Sequence, residues 1–355
     1  MSRLFEPISV RGLTVPNRVW VSPMCQYSSV DGLPDDWHLM HLGQFAAGGA
    51  GLVCTEASAI VAEGRISPQD AGIWNDDQVT AWRRVTGFLH AQGSAAAMQL
   101  AHAGRKASTH RPWEAGGTVP ASEGGWRSVG PSPLAFGKYA TPRELTEAEV
   151  AAVPGQFAAA ARRAVGAGFD AVELHFAHGY LVHEFYSPLS NQRTDRYGGD
   201  FTGRTRLALE VAEAVRAEVG ENLPVFARLS ASDWTSGGWD IEDSVRLAKL
   251  LDERGIDLID TSSGGNTANP DIPVGPGYQV PFAERIRAEA GIATGAVGMI
   301  TDPEQAEGII ANGQADVVFL ARAMLRDPHW ALRAADVLGA EVSWVNQYAR
   351  ARNRR

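Results

Sequence analysis

The chain is poor in cysteine, with only Cys25 and Cys54 among its 355 residues. Two cysteines cannot build the disulfide framework that holds small secreted proteins together. Cys54 lies in the apolar run 51–54, where we expect an unreactive, buried thiol. The cysteine content therefore favours a protein of a reducing compartment, stabilised by an apolar core.

Long apolar runs, excess basic charge and an apolar leader are also missing. No run reaches the roughly 18 apolar residues that a membrane helix needs, and residues 1–5 are too short and polar for a signal peptide. The net charge of −9 disfavours nucleic acid and anionic membranes as partners. We therefore expect a cytoplasmic protein.

What the chain does contain is an alternation of short β-type runs with amphipathic helical segments. The predicted strands are 18–22, 51–55, 95–100, 170–175, 224–229, 257–261, 292–297 and 316–321. The predicted helices include 146–167, 202–219, 243–254 and 303–312. Thr146 and Glu149 have the spacing of a capping box, and Asp302 precedes a proline suited to a first helical turn. Strands separated by helices pair in parallel, so eight such units predict one α/β domain over residues 1–355, a (β/α)₈ barrel.

Two segments fall outside this alternation. Residues 3–16 read as a short hairpin ahead of the first barrel strand. Residues 104–142 are rich in Gly, Pro, Ser and Trp and have no helical period. Loops of this length inside a compact domain are usually functional. Because this loop follows the third strand, we expect it to cap the catalytic end of the barrel.

The end of the fourth predicted strand carries His175, His178 and Tyr180. Two imidazole N–H groups can hold one carbonyl oxygen and stabilise negative charge that develops on it. A tyrosine hydroxyl, protonated at neutral pH, can deliver a proton nearby. This set suits conjugate reduction of an activated alkene. Two alternatives stay open: satisfied core polar groups, or a metal pair of a hydrolase with His183 or Glu184 as a further ligand.

Other polar residues lie at further strand ends. Arg228 would be costly inside a barrel unless it meets an anion: either a reduced flavin ring, whose amide edge Gln99 could pair with, or a carboxylate such as Glu173 or Asp260. The last two βα loops, the usual phosphate site of such barrels, contain Gly295, Gly298, Ala321 and Arg322. Cys25 follows the first strand as either a buried thiol or a group that tunes a flavin.

Several stretches resemble the Old Yellow Enzyme family, and within it the bacterial YqjM-like and xenobiotic reductase A-like class. They include NRVWVSPMCQYSS at 17–29, MQLAHAGRKAS at 98–108, HFAHGYLVHEFYSPLSNQRTDRYGG at 175–199 and LARAMLRDPHWA at 320–331. The resemblance extends over almost the whole chain. It implies a barrel with non-covalent FMN that is reduced by NADPH and then reduces the C=C bond of an enone-type substrate, in a ping-pong cycle.

The resemblance also implies residue roles. The flavin would be bound by Ser22, Pro23, Met24, Cys25, Ala57, Gln99, Arg228, Gly298, Ala321 and Arg322. Tyr27, His175 and His178 would contact substrate, Tyr180 would donate the proton, and Cys25 would modulate the flavin. The class further implies a homodimer or a dimer of dimers, in which Arg350 of the tail 341–355 enters the neighbouring subunit's active site.

Overall fold

The computed structural model describes residues 2–114 and 116–352, in which eight parallel strands form a closed barrel. The strands are β1 Val19–Val21, β2 Leu52–Ala59, β3 Ala95–Ala101, β4 Ala171–Phe176, β5 Val225–Ser230, β6 Leu258–Ser262, β7 Ala293–Ala296 and β8 Val317–Leu320. Each pairs with the next in chain order, and β8 closes onto β1. All eight predicted strands and the (β/α)₈ barrel are confirmed. Strand β2 runs past its predicted end at 55 because a register shift between Cys54 and Ala57 lets it continue beside β3.

Helices separate the strands and cover the outside of the barrel. They are α1 Asp36–Ala47, α2 Asp76–Ala91, α3 Glu147–Gly166, α4 Leu181–Tyr186, α5 Phe201–Val219, α6 Ile241–Asp252, α7 Val280–Ala290, α8 Pro303–Ala311, α9 Arg322–Arg326 and α10 Trp330–Leu338. The four predicted helices are confirmed within two residues at each end. Thr146 and Glu149 form the predicted capping box at the start of α3, and Asp302 caps α8. Within the described ranges, none of these helices is both long and apolar enough to cross a bilayer.

The N-terminal half of the barrel interior is filled by aromatic side chains. The ring of Trp20 on β1 lies 5.5 Å from those of both Phe226 on β5 and Phe319 on β8. All three are almost completely buried. The predicted hairpin, Ile8–Val10 paired with Leu13–Val15, adds its valines to the same cluster. This end of the barrel is therefore closed, which leaves the C-terminal end for a ligand.

The loop of residues 104–142, predicted to cap the barrel, leaves β3 at that C-terminal end. It contains two short 3₁₀ turns, Gly104–Lys106 and Ala121–Glu123, and a two-residue strand, Val129–Gly130. The guanidinium of Arg105 holds the loop to the segment after β6, with Nη2 donating to the main-chain oxygen of Asn266 at 2.6 Å. The loop is thus joined to the barrel mouth by a buried side chain.

Candidate active site

Three aromatic side chains from the end of β4 meet at the barrel mouth. The ring of His175 lies 5.1 Å from that of His178 and 5.0 Å from that of Tyr180, nearly perpendicular to both. His175 is the last residue but one of β4, while the other two stand on the turn that leads into α4. The structure therefore brings together the residues that the sequence grouped only by spacing.

The hydrogen bonds of His175 define the proton position on its ring. The backbone N–H of Ala177 donates to Nδ1 at 3.3 Å, so Nδ1 is the acceptor and Nε2 carries the proton. Burial, together with the positive charges of Arg228 and Lys106, holds the pKa of His175 well below its usual value. The ring is therefore neutral at pH 7 and has one N–H available to a ligand.

His178 is held mainly through its backbone. Its φ of +60° is a left-handed conformation that non-glycine residues adopt rarely. Its N–H donates to Oγ of Ser230 at 2.9 Å, and its carbonyl accepts from Nζ of Lys106 at 2.8 Å. The ring bonds Oγ of Ser262 through Nε2 at 2.7 Å. In the described part of the chain Nδ1 makes no hydrogen bond, and burial lowers the pKa of this imidazole too.

Tyr180, Tyr27 and Cys25 form one side of the mouth. Burial raises the pKa of both phenols and of the Cys25 thiol, and the negative charges of Asp70 and Glu56 raise the thiol's pKa further. All three side chains therefore keep their protons at neutral pH. The proton-donor role predicted for Tyr180 requires a protonated hydroxyl. A protonated thiol at Cys25, in contrast, does not suit a nucleophile, which would have to be a thiolate.

A polar layer of four side chains lies between the aromatic interior and the mouth, one from each of strands β3 to β6. Nε2 of Gln99 donates to Oε1 of Glu173 at 2.7 Å, and Nε of Arg228 lies 3.1 Å from Oδ2 of Asp260. Oε2 of Glu173 and both carboxylate oxygens of Asp260 are buried without a hydrogen bond in the described chain. The ion pair left open from sequence is thus present, and the layer still has polar atoms unsatisfied.

A cavity of about 220 Å³ opens at the ends of β7 and β8. Gly298 has a φ of +122°, and a Cβ there would lie 2.9 Å from Nε2 of Gln279. Ala321 immediately precedes the first turn of α9, and it lines this cavity together with Arg322 and Arg326. Glycine, N–H groups and arginines are the donor set that binds phosphate.

Sequence reasoning missed several residues at this end of the barrel. Lys106, Ser262 and Gln279 were not predicted, although MQLAHAGRKAS contains Lys106. Trp113 of the capping loop lies with its ring 5.8 Å from that of Tyr27 and is mostly exposed. A cluster of Trp and Arg in a long loop after a barrel strand is a signal that could have identified this wall of the mouth.

Comparisons with known proteins agree with this geometry. A family model described as the NADH:flavin oxidoreductase / NADH oxidase family matches residues 3–341. The chain is 47% identical over 349 residues to an NADPH dehydrogenase of a Geobacillus strain, with 98% of each chain covered. The chain belongs to this flavin oxidoreductase family. It is an enzyme that passes electrons from a nicotinamide dinucleotide to FMN, and its predicted place among the Old Yellow Enzymes is confirmed.

Two solved structures extend the likeness. The chain is 28% identical to an Old Yellow Enzyme homologue from Zymomonas mobilis, with a TM-score of 0.77 over 97% of this chain and 95% of that one. A 2-naphthoyl-CoA reductase has a TM-score of 0.85 at 24% identity, covering 95% of this chain. The chain spans about half of that reductase, 52% of its length, and this second likeness shows the fold alone.

The residues of this flavin oxidoreductase fit FMN. The cavity beside Gly298 and Arg322 would provide the phosphate donors, and the unsatisfied atoms of the polar layer match a ring edge with both donors and acceptors. Ser22 and Met24 follow β1 at the mouth, and Ala57 packs with Cys25 and Tyr180. These positions would hold the cofactor between the polar layer and the imidazole pair.

Arg350 is exposed on a 3₁₀ helix, Asn346–Ala351. The last positions of the chain, including Arg354 and Arg355, lie outside the described residues.

The metal hypothesis required a third ligand beside His175 and His178. Over the described ranges, no group of three metal-binding side chains occurs. His183, offered as a third ligand, instead bonds Asp233 at 2.9 Å. The hydrolase alternative is therefore not favoured.

Proposed function

We propose that this flavin oxidoreductase is an NADPH-dependent ene-reductase that reduces the C=C bond of α,β-unsaturated carbonyl compounds. The observation that carries the proposal is the pair of neutral imidazoles at the end of β4, within 5.1 Å of each other and beside a protonated tyrosine. A substrate oxygen between the two rings would put its conjugated alkene over the cofactor face.

The chain's residues would act on opposite ends of the substrate. Bound FMN supplies the hydride. Nε2–H of His175 and the ring of His178 hold the carbonyl oxygen, and their hydrogen bonds strengthen as negative charge develops there. The hydroxyl of Tyr180 then delivers a proton to the α-carbon. Neutral rings suit this role, because they stabilise the charge of the transition state without binding an anion tightly beforehand.

Two features support NADPH as a reductant that shares the mouth with the substrate. The Geobacillus relative is named for NADPH. The sequence has no Gly-x-Gly-x-x-Gly fingerprint after a strand, the signature of a dedicated dinucleotide domain. The two substrates would then alternate over one flavin, as a ping-pong cycle requires.

The proposal includes a cytoplasmic homodimer or dimer of dimers in which Arg350 reaches a neighbouring mouth. Both cysteines are free thiols, as a reducing compartment favours. The guanidinium of Arg350 is exposed and makes no ion pair within the described residues. Tyr348 beside it packs against His329 at 5.3 Å, which presents the tail on the outside of this subunit.

The test separates the two roles on the FMN-loaded enzyme. His175→Ala should weaken binding of 4-hydroxybenzaldehyde about tenfold or more, since its phenolate oxygen mimics the polarised carbonyl. Tyr180→Phe should slow reoxidation by cyclohexenone about 10²-fold or more in stopped-flow measurements, but leave reduction by NADPH nearly unchanged.

The matched control is Tyr197→Phe, which removes a tyrosine hydroxyl bonded to Glu210 outside the mouth and should change neither half-reaction. Equal slowing of both half-reactions in Tyr180→Phe would contradict the proton-donor role. A colourless, zinc-containing protein that fails to bind FMN would overturn the proposed function.

A further inference from the structure

A completely buried hydrogen-bonded pair lies directly behind the turn that carries His178 and Tyr180. Nε2 of His183, on α4, lies 2.9 Å from Oδ1 of Asp233, and neither side chain is exposed. The other ring nitrogen, Nδ1, accepts the backbone N–H of Gly179 at 2.9 Å. Gly179 is the one residue between His178 and Tyr180, so this histidine touches the backbone of the working turn.

The hydrogen bonds around the pair define the proton position on His183. A backbone N–H can only donate, so Nδ1 must be unprotonated. Nε2 then carries the proton and donates to Asp233. The carboxylate is itself oriented, because its second oxygen accepts from Oγ of Ser187 at 2.5 Å and from the backbone N–H of Trp239 at 3.0 Å. Each of these partners of Asp233 donates, which favours the ionised carboxylate.

The turn depends on this acceptor for its shape. Gly179 has a φ of +69°, and a Cβ there would lie 2.2 Å from the carbonyl oxygen of Gly265. The turn is therefore pressed against the segment after β6. Lys106 bonds the carbonyls of both His178 and Gly265, and the Gly179 N–H is directed at His183. A buried N–H without an acceptor is strongly disfavoured, so loss of Nδ1 as acceptor would displace this turn.

We propose that Asp233 and His183 are positioning residues of this enzyme, which keep the His178–Tyr180 turn in its working shape by holding His183 in the tautomer whose Nδ1 accepts from Gly179. Neither touches the substrate. The inference rests on the proposed function, because it explains how the oxygen clamp and the proton donor are held at their distances.

One substitution reverses the tautomer without removing a side chain. In Asp233→Asn the amide oxygen must occupy the Oδ2 position, because the N–H of Trp239 there can only donate. The amide NH₂ is thereby directed at Nε2 of His183 and makes that atom the acceptor. The proton then moves to Nδ1. The N–H of Nδ1 and the N–H of Gly179 now face each other, and because both are donors they cannot form a hydrogen bond.

A second substitution should repair the first. In His183→Asn the new amide oxygen is separated from Cα by the same number of bonds as Nδ1 of the histidine, so it can accept from Gly179 whatever residue stands at position 233. The double variant Asp233→Asn/His183→Asn should therefore bind phenols better than Asp233→Asn alone. A simple loss of packing would instead make the double variant worse.

The experiment measures the dissociation constant of 4-hydroxybenzaldehyde in the FMN-loaded variants. Asp233→Asn should weaken binding about tenfold, and the double variant should recover at least half of that loss on a logarithmic scale. Ser187→Ala is the matched control: it removes another hydrogen bond of the same carboxylate but leaves the bond to His183, and should bind within about twofold of the wild type.

Three results would decide against the proposal. Wild-type affinity in Asp233→Asn, while His175→Ala loses affinity, would overturn the positioning role and leave the proposed function intact. If Asp233→Asn and His175→Ala both bound 4-hydroxybenzaldehyde with wild-type affinity, the proposed function would be overturned and the inference with it. The ¹⁵N chemical shifts of His183 in the wild-type holoenzyme give a test independent of variant folding: a protonated Nδ1 would overturn the inference.

Discussion

The two ends of the barrel are built from the same strands but differ in what fills them. At the N-terminal end, Trp20, Phe226 and Phe319 pack edge to face or tilted, and the valines of the hairpin seal the opening. Toward the C-terminal end, carboxylate and guanidinium atoms of the polar layer are buried without hydrogen bonds in the described chain. Tyr27 and His178 there have positive φ angles of 53° and 60°.

This difference shows how the barrel separates stability from function. Buried apolar rings contribute favourable free energy, whereas each unsatisfied buried polar atom costs about 1–3 kcal/mol. Strain at non-glycine residues persists where the surroundings hold it, and such residues gather at functional sites. The apolar packing of the closed end therefore offsets the cost of the C-terminal end, whose buried polar atoms stay unsatisfied until a ligand binds.

The largest expected effect comes from opening the closed end. Trp20→Ala removes a fully buried indole, and we expect the free energy of unfolding to fall by about 3–5 kcal/mol. The phenol affinity of the folded, FMN-loaded protein should stay within about twofold of the wild type, because Trp20 lies below the polar layer. Chemical denaturation and ligand titration on the same sample test both statements.

Trp37→Ala is the control for that substitution, since Trp37 is about half exposed on α1, at 48%. We expect it to lower the free energy of unfolding by less than about 1 kcal/mol. If Trp20→Ala changed phenol affinity as strongly as it changed stability, the two ends of the barrel would not be energetically separate.

Local patterns were sufficient to predict the barrel and the position of its mouth. Apolar runs of strand length alternate with capped helices, and residues just after strands, such as His178 and Arg322, were therefore placed at the same end of the barrel. The hairpin and the position of the loop 104–142 were also predictable, because their composition breaks the alternation. In each case the information lies within a few neighbouring residues.

The connections between distant segments were not predictable in the same way. Asp233 and His183 are 50 residues apart, and Lys106 bonds the His178 carbonyl across 72 residues. Whether Arg228 faces a carboxylate depended on strand register, which places Asp260 directly beside it. Side-chain direction and register decide such contacts, and neither follows from composition or spacing alone.

An intermediate effect is expected from the polar layer, through the pH dependence of stability. Burial and the neighbouring Asp260 raise the pKa of Glu173 to about 8, whereas an unfolded glutamate ionises near its ordinary value. Between these two values the folded chain binds more protons than the unfolded chain, so stability falls as pH rises through that window. The slope can reach about 1.4 kcal/mol per pH unit.

Glu173→Gln should flatten this slope, because the amide can still accept from Gln99 but does not titrate. The measurement is the free energy of unfolding at pH 5 to 8, without added FMN so that cofactor binding does not contribute. Glu289→Gln, an exposed site on α7, is the control and should keep the wild-type slope. A slope unchanged in Glu173→Gln would place the titrating group elsewhere.

The smallest expected effect concerns the two cysteines, one from each end of the barrel. Cys54 is buried in the aromatic interior, and Cys25 lies partly exposed at the mouth. Burial raises the pKa of both thiols, with added repulsion from Asp70 at Cys25 and from Glu173 at Cys54. Because alkylation requires the thiolate, both should react with iodoacetamide at pH 8 more slowly than free cysteine.

Access should then separate the two thiols. In the folded protein without FMN, Cys25 should be labelled slowly and Cys54 only on global unfolding, as read by peptide mass spectrometry over time. Bound FMN should protect Cys25 from labelling. It should change the labelling rate of Cys54 only as far as it makes global unfolding rarer. Equal labelling rates would mean that the aromatic interior opens as readily as the mouth. Since the mouth combines strained backbone with the unsatisfied atoms of the polar layer, it is the end where local opening should occur first.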